Sequence, residues 1–152
     1  MMGHPEVMRF WFKLYTREEA RGWISAQRER YARDGHGYWL AVERATGDAV
    51  GQAGLLTLDL DGSDEICLGY ITHYPHWRQG FATEASEACL SYAFENLGAS
   101  RVLAPIRPEN APSQGLALKL GMSFDGWTTV RAGLLHEVYG ISRSTWLGQR
   151  SG

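Results

Sequence analysis

The sequence predicts an α+β fold in which a mixed, mostly antiparallel sheet is flanked by helices. Two observations predict it. In the first half, apolar segments follow one another across short turns, as in antiparallel strands. In the second half, strand, helix and strand alternate, as in a parallel crossover. The 152 residues show no internal repeat or long linker, so we expect a single domain over residues 1–152.

The first half predicts one helix followed by three strands. Thr16-Arg17-Glu18-Glu19 has the capping-box pattern, in which Thr16 caps the helix and Glu19 bonds back to it. Asp34-Gly35 marks the end of this helix. The strands are predicted over Tyr38 to Glu43, Ala49 to Leu60 and Glu65 to Thr72, with turns at Thr46-Gly47-Asp48 and Asp61-Gly62.

The second half predicts a crossover and a closing hairpin. Apolar residues recur at helical spacing from Phe81 to Leu97, and Arg101 to Ile106 forms a short apolar strand. Because strand, helix and strand follow in that order, the third and fourth strands should be parallel neighbours. The remaining elements are a helix over Pro112 to Leu120 and an antiparallel pair over Met122 to Val130 and Leu135 to Ser142, joined at Ala132-Gly133.

The composition argues against several classes of partner. The formal net charge is −2, so the chain has no general attraction to nucleic acid or to anionic membranes. No apolar run is long enough to span a bilayer, and the first residues lack the basic and then apolar pattern of a signal peptide. Cys67 and Cys89 lie in apolar patterns, which indicates reduced core residues of a cytoplasmic protein.

The junction between the third strand and the next helix is the first candidate site. Gly80 and Ala82 put small residues at the helix start, where free amide N–H groups and the helix dipole favour an anion such as a pyrophosphate. Arg78 adds a positive charge there. A tight turn that needs a glycine explains the same pattern, and Asn110 or Ser113 could simply cap the second helix.

Together these segments resemble the GNAT acetyltransferases, and among them the RimJ/RimL-type protein N-acetyltransferases. Order and spacing match from about Glu65 to Arg143, and Thr16 to Ile24 resembles the family's first helical region. The segments that carry the resemblance are Gly69-Tyr70-Ile71, Trp77 to Ala85, Tyr92 to Gly98, Arg107 to Ser113, Lys119 to Met122 and His136 to Gly140.

The resemblance implies acetyl-CoA as the cofactor, an amine as the acceptor and no metal. In this family the third strand and the crossover strand splay apart, and the thioester lies in the gap. The coenzyme pyrophosphate would bind the backbone of Arg78, Gln79, Gly80, Phe81, Ala82 and Thr83. The pantetheine arm would bind the backbone of Tyr70, Ile71, Thr72 and His73. Asn110 would also hold that arm, and Ser113 would lie near the sulfur.

Three features depart from the family pattern. Trp77 stands where the broad superfamily has Gln or Arg, although an aromatic residue is familiar in the RimJ/RimL branch. Ala117 stands where many members have a tyrosine general acid, so the leaving thiolate needs another proton source, and Ser113 is the candidate. The family's first strand is not evident, which indicates either a wrongly chosen start or a real truncation. It leaves a sheet edge that a partner subunit could cover, and a homodimer is expected because dimers are common in the family.

Acetyl transfer needs a neutral amine, an oxyanion site and a proton source for the thiolate. A backbone amide near Ile71 or Thr72 is the candidate oxyanion donor, and direct attack by the amine needs no nucleophilic side chain. His73 and Glu65 are the candidate general bases: His73 ends the third strand beside the expected thioester, and Glu65 could act through water. Each could also be a simple surface residue.

Several other side chains have less specific predictions. Glu84 is expected to stabilise its helix dipole, and His76 is a further candidate base. Tyr139 could line the acceptor pocket or belong to the core, and His136 is expected on the surface of a hairpin. Trp11 and Trp39 could wall the acceptor pocket or belong to the core. The acidic residues Asp59, Asp61, Asp64 and Glu65 could attract a cationic amine or form a solvated turn.

The leading prediction is an N-acetyltransferase that acts on a protein N-terminus or a small amine. An enzyme that acetylates an amine antibiotic would share the fold, and only substrate trials would separate the two. A non-catalytic acetyl-CoA-binding regulatory module would bind the coenzyme without turnover. Ala117 and the missing first strand leave that alternative open.

Overall fold

The structure is a computed structural model that describes residues 1–11, 13–130 and 133–151. Its elements run in the order α1 (Arg17–Asp34), β1 (Tyr38–Val42), β2 (Ala49–Leu60), β3 (Ser63–Thr72), a 3₁₀ turn (Tyr74–His76), α2 (Phe81–Glu95), β4 (Arg101–Ile106), α3 (Ala111–Lys119), β5 (Ser123–Val130), β6 (Leu134–Ser142) and α4 (Arg143–Arg150). The α+β class and the order of the predicted elements are confirmed. The 3₁₀ turn and α4 were not predicted, and the predicted turn residue Ala132 lies outside the described residues.

The strands form a sheet in the order β1-β2-β3-β4-β6-β5. All neighbours are antiparallel except β3 and β4, which are parallel, as the crossover predicts. β2 and β3 are in register along the whole of β3, from Ser63 to Thr72. By contrast, β3 and β4 pair only where Cys67 meets Leu103. Beyond that point the two strands separate, which confirms the predicted splay of the central strands.

Helix α1 begins with the predicted capping box. The Thr16 hydroxyl accepts from the Glu19 amide at 3.1 Å, and the Thr16 amide donates to the Glu19 carboxylate at 2.8 Å. The helix ends at Gly35, whose φ of 77° lies in the left-handed region. Trp23 Nε1 donates to Gln52 Oε1 at 2.9 Å, so α1 is fixed to the sheet face that carries Gln52.

Helix α2 packs on the opposite face and supplies the centre of the core. Its residues Cys89, Leu90, Ala93 and Phe94 are buried in one cluster with apolar residues of β2, β3 and β4. Both cysteines are buried and neither forms a disulfide, which agrees with the sequence prediction. Burial raises the pKa of Cys89 to about 12, because the thiolate would lie in apolar surroundings.

Residues 1–11 form turns and a bend rather than a strand, and residues 13–16 belong to no helix or strand. Met2, Val7 and Met8 are buried in a cluster with Ile71, near the end of β3. This packing brings the N-terminal segment beside the open part of the sheet. Among the described residues, no helix combines the length and apolar character needed to cross a bilayer.

Candidate active site

The larger of two adjoining clefts, with a volume of about 370 Å³, opens where β3 ends and where α2 and α3 begin. Every predicted coenzyme residue lines it except His73 and Gln79. The predicted residues that do line it are Tyr70, Ile71, Thr72, Arg78, Gly80, Phe81, Ala82, Thr83, Asn110 and Ser113. Val7, Phe10 and Trp11 also line it. The sequence analysis considered Trp11 as a pocket wall but missed Val7 and Phe10, because this segment has no helix or strand pattern to place them.

The start of α2 is built for close approach by a ligand. Gly80 is the N-cap with a φ of 85°, and no side chain caps the helix. A Cβ added at Gly80 would meet nothing within 4 Å, so the space next to this residue is open. Arg78 has a φ of 60°, a conformation that is strained for a residue with a Cβ and is found at ligand sites. Exposed amides and the helix dipole make this end suitable for an anion.

The end of β3 presents backbone donors to the same cleft. The His73 amide donates to the Val50 carbonyl at 2.7 Å, so this N–H group points toward β2. Because the direction alternates along a strand, the amides of Tyr70 and Thr72 point the other way, toward the splayed gap. The Thr72 carbonyl on that side already accepts from Trp77 Nε1 at 2.8 Å. Of the two amides considered for the oxyanion, Thr72 is therefore the one directed into the gap.

Ser113 is fixed at the start of α3 by its backbone. Its amide donates to Asn110 Oδ1 at 3.2 Å, and its carbonyl accepts from the Tyr70 hydroxyl at 3.2 Å. Asn110 is thus the predicted helix cap, and it lines the cleft as well. Burial raises the pKa of Tyr70 to about 12, so this phenol keeps its proton at neutral pH and acts as a brace for α3.

The smaller cleft, of about 120 Å³, lies in the gap between β3 and β4. It shares Phe10, Trp11, Tyr70, Asn110 and Ser113 with the larger cleft, so the two meet at these residues. Side chains from both sheet faces line it, which means that the gap connects the α2 face with the opposite face. A ligand in the larger cleft and one entering from the opposite face would meet beside Ser113.

His136 lines the smaller cleft, and its expected place on a hairpin surface is wrong. The residue is only 8% exposed. Residues two apart on a strand face the same side of the sheet, so His136 lies on the same face as Val138, which is buried in the core. Of the two tryptophans considered for the acceptor pocket, Trp11 lines both clefts, whereas Trp39 packs against Tyr92 on the α2 side of the sheet.

His73 lies beside the larger cleft but does not line it. Its Nδ1 is buried and has no hydrogen-bond partner among the described residues. Burial, followed by the positive N-terminus, lowers the pKa of His73 below its usual value. This shift favours the neutral form of the imidazole. His76, another base considered, does line the larger cleft, and its ring centroid lies 6.1 Å from that of His73.

Glu65 is at the other end of β3 from the cleft. It forms an ion pair with Arg101, with Nε of Arg101 donating at 3.1 Å and a second, shorter bond from Nη2. Five residues of extended strand separate it from Tyr70, which is about 16 Å at ~3.3 Å per residue. The structure therefore does not bring Glu65 to Ser113 and Thr72.

The remaining residues considered for the site lie in the core or in a turn. Tyr139 is buried in the core, and its hydroxyl donates to Glu137 at 3.1 Å. Asp59 accepts from the Gly62 amide at 2.8 Å and so belongs to the hairpin turn. Ala117, at the position of the family's tyrosine, is fully buried in the α2-side core.

Residues 1–123 match the family model described as the acetyltransferase (GNAT) domain. The chain belongs to the GNAT acetyltransferases. The resemblance to that family is therefore confirmed, and the chain is an acetyltransferase.

Two curated relatives from Bacillus species are similar to this chain. The chain is 29% identical to YkkB of Bacillus subtilis (strain 168) over 124 residues, which cover 82% of this chain and 72% of YkkB. It is 34% identical to the uncharacterized N-acetyltransferase p20 of Bacillus licheniformis over 86 residues, or 56% of this chain and 47% of p20. The chain thus spans about half the length of this second relative.

A solved structure from Vibrio cholerae, provisionally described as a ribosomal-protein-serine acetyltransferase, has the same fold. It matches with a TM-score of 0.74 and 25% identity, covering 90% of this chain and 81% of that one.

Proposed function

We propose that this GNAT acetyltransferase transfers the acetyl group of acetyl-CoA directly to a primary amine. One observation carries the proposal: the larger cleft collects the open start of α2, the free edge of β3 and the Asn110–Ser113 turn in one place. These features match, in order, the needs of a pyrophosphate, a pantetheine arm and a thioester. The family supports acetyl-CoA as the donor, since GNAT acetyltransferases use it.

In this proposal the first amides of α2 bind the pyrophosphate, with Arg78 adding positive charge. The pantetheine arm lies along β3 beside Asn110. The Thr72 amide binds the thioester oxygen, which becomes an oxyanion when the amine attacks. Ser113, which lines both clefts, passes a proton to the leaving thiolate. Much of the acceleration would come from positioning, which is worth up to about 7–11 kcal/mol in well-oriented cases.

For the acceptor we propose a protein N-terminus or a small amine. The motifs of the RimJ/RimL type and the similarity to the Vibrio cholerae structure support a protein N-terminus. Among the described residues, no Asp or Glu lines the smaller cleft. Such a cleft has little charge to attract a polycation, which favours an acceptor with a single amine at the site.

Calorimetric titration with acetyl-CoA, followed by a free-thiol release assay over a panel of peptides and small amines, tests this function. Saturable binding with thiol release on one class of amine is the expected result and would identify that class. Binding with no release on any amine would instead favour a regulatory module. No binding would overturn the proposal. The predicted homodimer is tested separately by light scattering of the same sample.

A further inference from the structure

The sheet register places His136 at the level of the proposed reaction centre. Cys67 of β3 is level with Leu103 of β4, so four residues further along both parallel strands Ile71 is level with Arg107. On the other side of β4, Ile106 pairs with Glu137, so the next step brings Arg107 alongside His136. A hydrogen bond from Arg107 Nη1 to the Leu135 carbonyl at 3.3 Å agrees with this alignment. His136 is therefore level with the end of β3 where the Thr72 amide faces the gap.

The same register separates His136 from Glu65. Two residues before Cys67 and Leu103, Glu65 is level with Arg101, and the ion pair between them agrees with this position. Arg101 and Arg107 are six residues apart on β4, which is about 20 Å at ~3.3 Å per residue. Glu65 and His136 thus lie at opposite ends of the splayed strands β3 and β4, and His136 is at the end where the two clefts meet.

A backbone carbonyl fixes the tautomer of the His136 ring. Nδ1 lies 2.8 Å from the Leu134 oxygen. A carbonyl can only accept a hydrogen bond, so Nδ1 must carry the proton. In the neutral ring the lone pair is then on Nε2. In this arrangement the imidazole can take up a proton at Nε2, while the hydrogen bond from Nδ1 fixes the orientation of the ring.

We propose that His136 is the general base that removes the proton from the attacking amine, through Nε2 and either directly or through one water. This rests on the proposed acetyl transfer. The amine nitrogen bonds to the thioester carbon, and Nε2 takes one proton from that nitrogen. The carbon–sulfur bond then breaks, and the thiolate takes a proton from the Ser113 hydroxyl. Ser113 regains a proton through solvent from the His136 imidazolium, so the products are the amide and the free thiol.

The surroundings of His136 suit this role. The titratable side chains that line the same cleft are Arg107 on β4, Tyr38 on β1, and Cys67 and Tyr70 on β3. Arg107 is the positively charged residue in this set, and its guanidinium pairs with Glu109 at 3.2 Å and donates to the Leu135 carbonyl. The base role needs the neutral form of the imidazole.

The test compares His136→Gln with wild type across pH. We expect kcat/KM for thiol release to fall about 10²-fold or more. The pH dependence due to the imidazole should be lost, so that only the titration of the acceptor amine remains. The Kd for acetyl-CoA should stay within twofold, because His136 lines the smaller cleft and not the larger. A kcat/KM close to that of wild type, with the same pH profile, would overturn the proposal.

His36→Gln is the matched control. His36 is 4% exposed, and its Nδ1 lies 2.7 Å from the Leu55 carbonyl, but it lines neither cleft. This variant removes the same kind of buried imidazole and should keep the wild-type pH profile. An equal loss of rate in both variants would mean that buried histidines matter only for packing.

A measurement on wild type keeps the proposal testable if the variant fails to fold. Long-range proton–nitrogen NMR on histidine-labelled protein should show His136 protonated on Nδ1 and not on Nε2. The opposite tautomer would overturn the base role even in an active enzyme. If wild type releases no thiol with any amine, the proposed function itself fails and the base role fails with it.

Discussion

Ser113 is the residue at which the two clefts and the proposed chemistry meet. Its backbone amide and carbonyl are both bonded, to Asn110 and Tyr70, whereas its hydroxyl makes no hydrogen bond with the described residues. A residue fixed in this way presents its hydroxyl without needing the side chain for structure. The burial of Ala117 has the complementary consequence, because the family's usual tyrosine position cannot supply the proton here.

Ser113→Ala should therefore lower kcat for thiol release by about 10²-fold, the lower end of what a positioned proton donor contributes. The Kd for acetyl-CoA should change by less than about twofold, because the backbone bonds of residue 113 remain. Turnover and calorimetric titration measure the two effects. Ser123→Ala, at the exposed start of β5, is the control. Unchanged turnover in Ser113→Ala would remove this hydroxyl from the mechanism.

At the scale of elements, the separation of β3 from β4 creates the site. The strands are joined at Cys67 and Leu103, and the Glu65–Arg101 ion pair holds the same closed end. Toward the other end, each strand has a neighbour on its outer side only, β2 for β3 and β6 for β4. The closed end is thus structural and the open end is left for ligands.

Glu65→Gln separates these two ends experimentally. Because the Arg101 side chain is half exposed, we expect a loss of only about 0–1 kcal/mol in the free energy of unfolding, reduced further by salt. Turnover with acetyl-CoA should be unchanged. Urea unfolding at low and high salt, together with the thiol assay, measures both quantities. A large fall in turnover at unchanged stability would restore Glu65 as a general base.

The start of α2 offers a second test at this scale. Gly80 and Gly98 flank this helix, and both have positive φ, with nothing within 4 Å of an added Cβ. Replacing either with tryptophan should cost a similar backbone strain, of order 1–3 kcal/mol. Only Gly80→Trp covers the amides that face the larger cleft, so only this variant should lose calorimetric binding of acetyl-CoA. Equal loss of binding in Gly98→Trp would attribute the effect to strain.

The elements could be predicted where local chemistry decides them. The capping box at Thr16, the turn at Asp61-Gly62 and the stop at Gly98 are set by neighbouring residues, and the structure places the element ends within two residues of the prediction. Helix α4 was not predicted, because its eight residues include one buried residue and so show no apolar periodicity. That residue is Trp146, which packs near Phe94 only once the fold has formed.

At the scale of the whole molecule, the sequence predicted the lining of the proposed coenzyme side better than that of the proposed acceptor side. The segment from Tyr70 to Thr83 is continuous, and its turn and helix start are visible in the sequence itself. The acceptor side is assembled from the N-terminal turns, β4 and β6, so its members are distant in sequence. Trp11 and His136 both line the smaller cleft, where tertiary packing places them. The register of β6 decides which face His136 occupies, and a one-residue change of register would have reversed that outcome.

Because the cleft joins the N-terminal segment, β3, α2 and α3, a bound coenzyme should stabilise the whole fold. Acetyl-CoA at about 100 times its Kd would add about 2.7 kcal/mol to the free energy of unfolding. For a domain of this size, that corresponds to a rise in Tm of about 5–10 °C. Thermal unfolding across a range of acetyl-CoA concentrations measures the shift, and Gly80→Trp, which should show none, is the control. A Tm that does not move in wild type at saturating acetyl-CoA would contradict binding in this cleft.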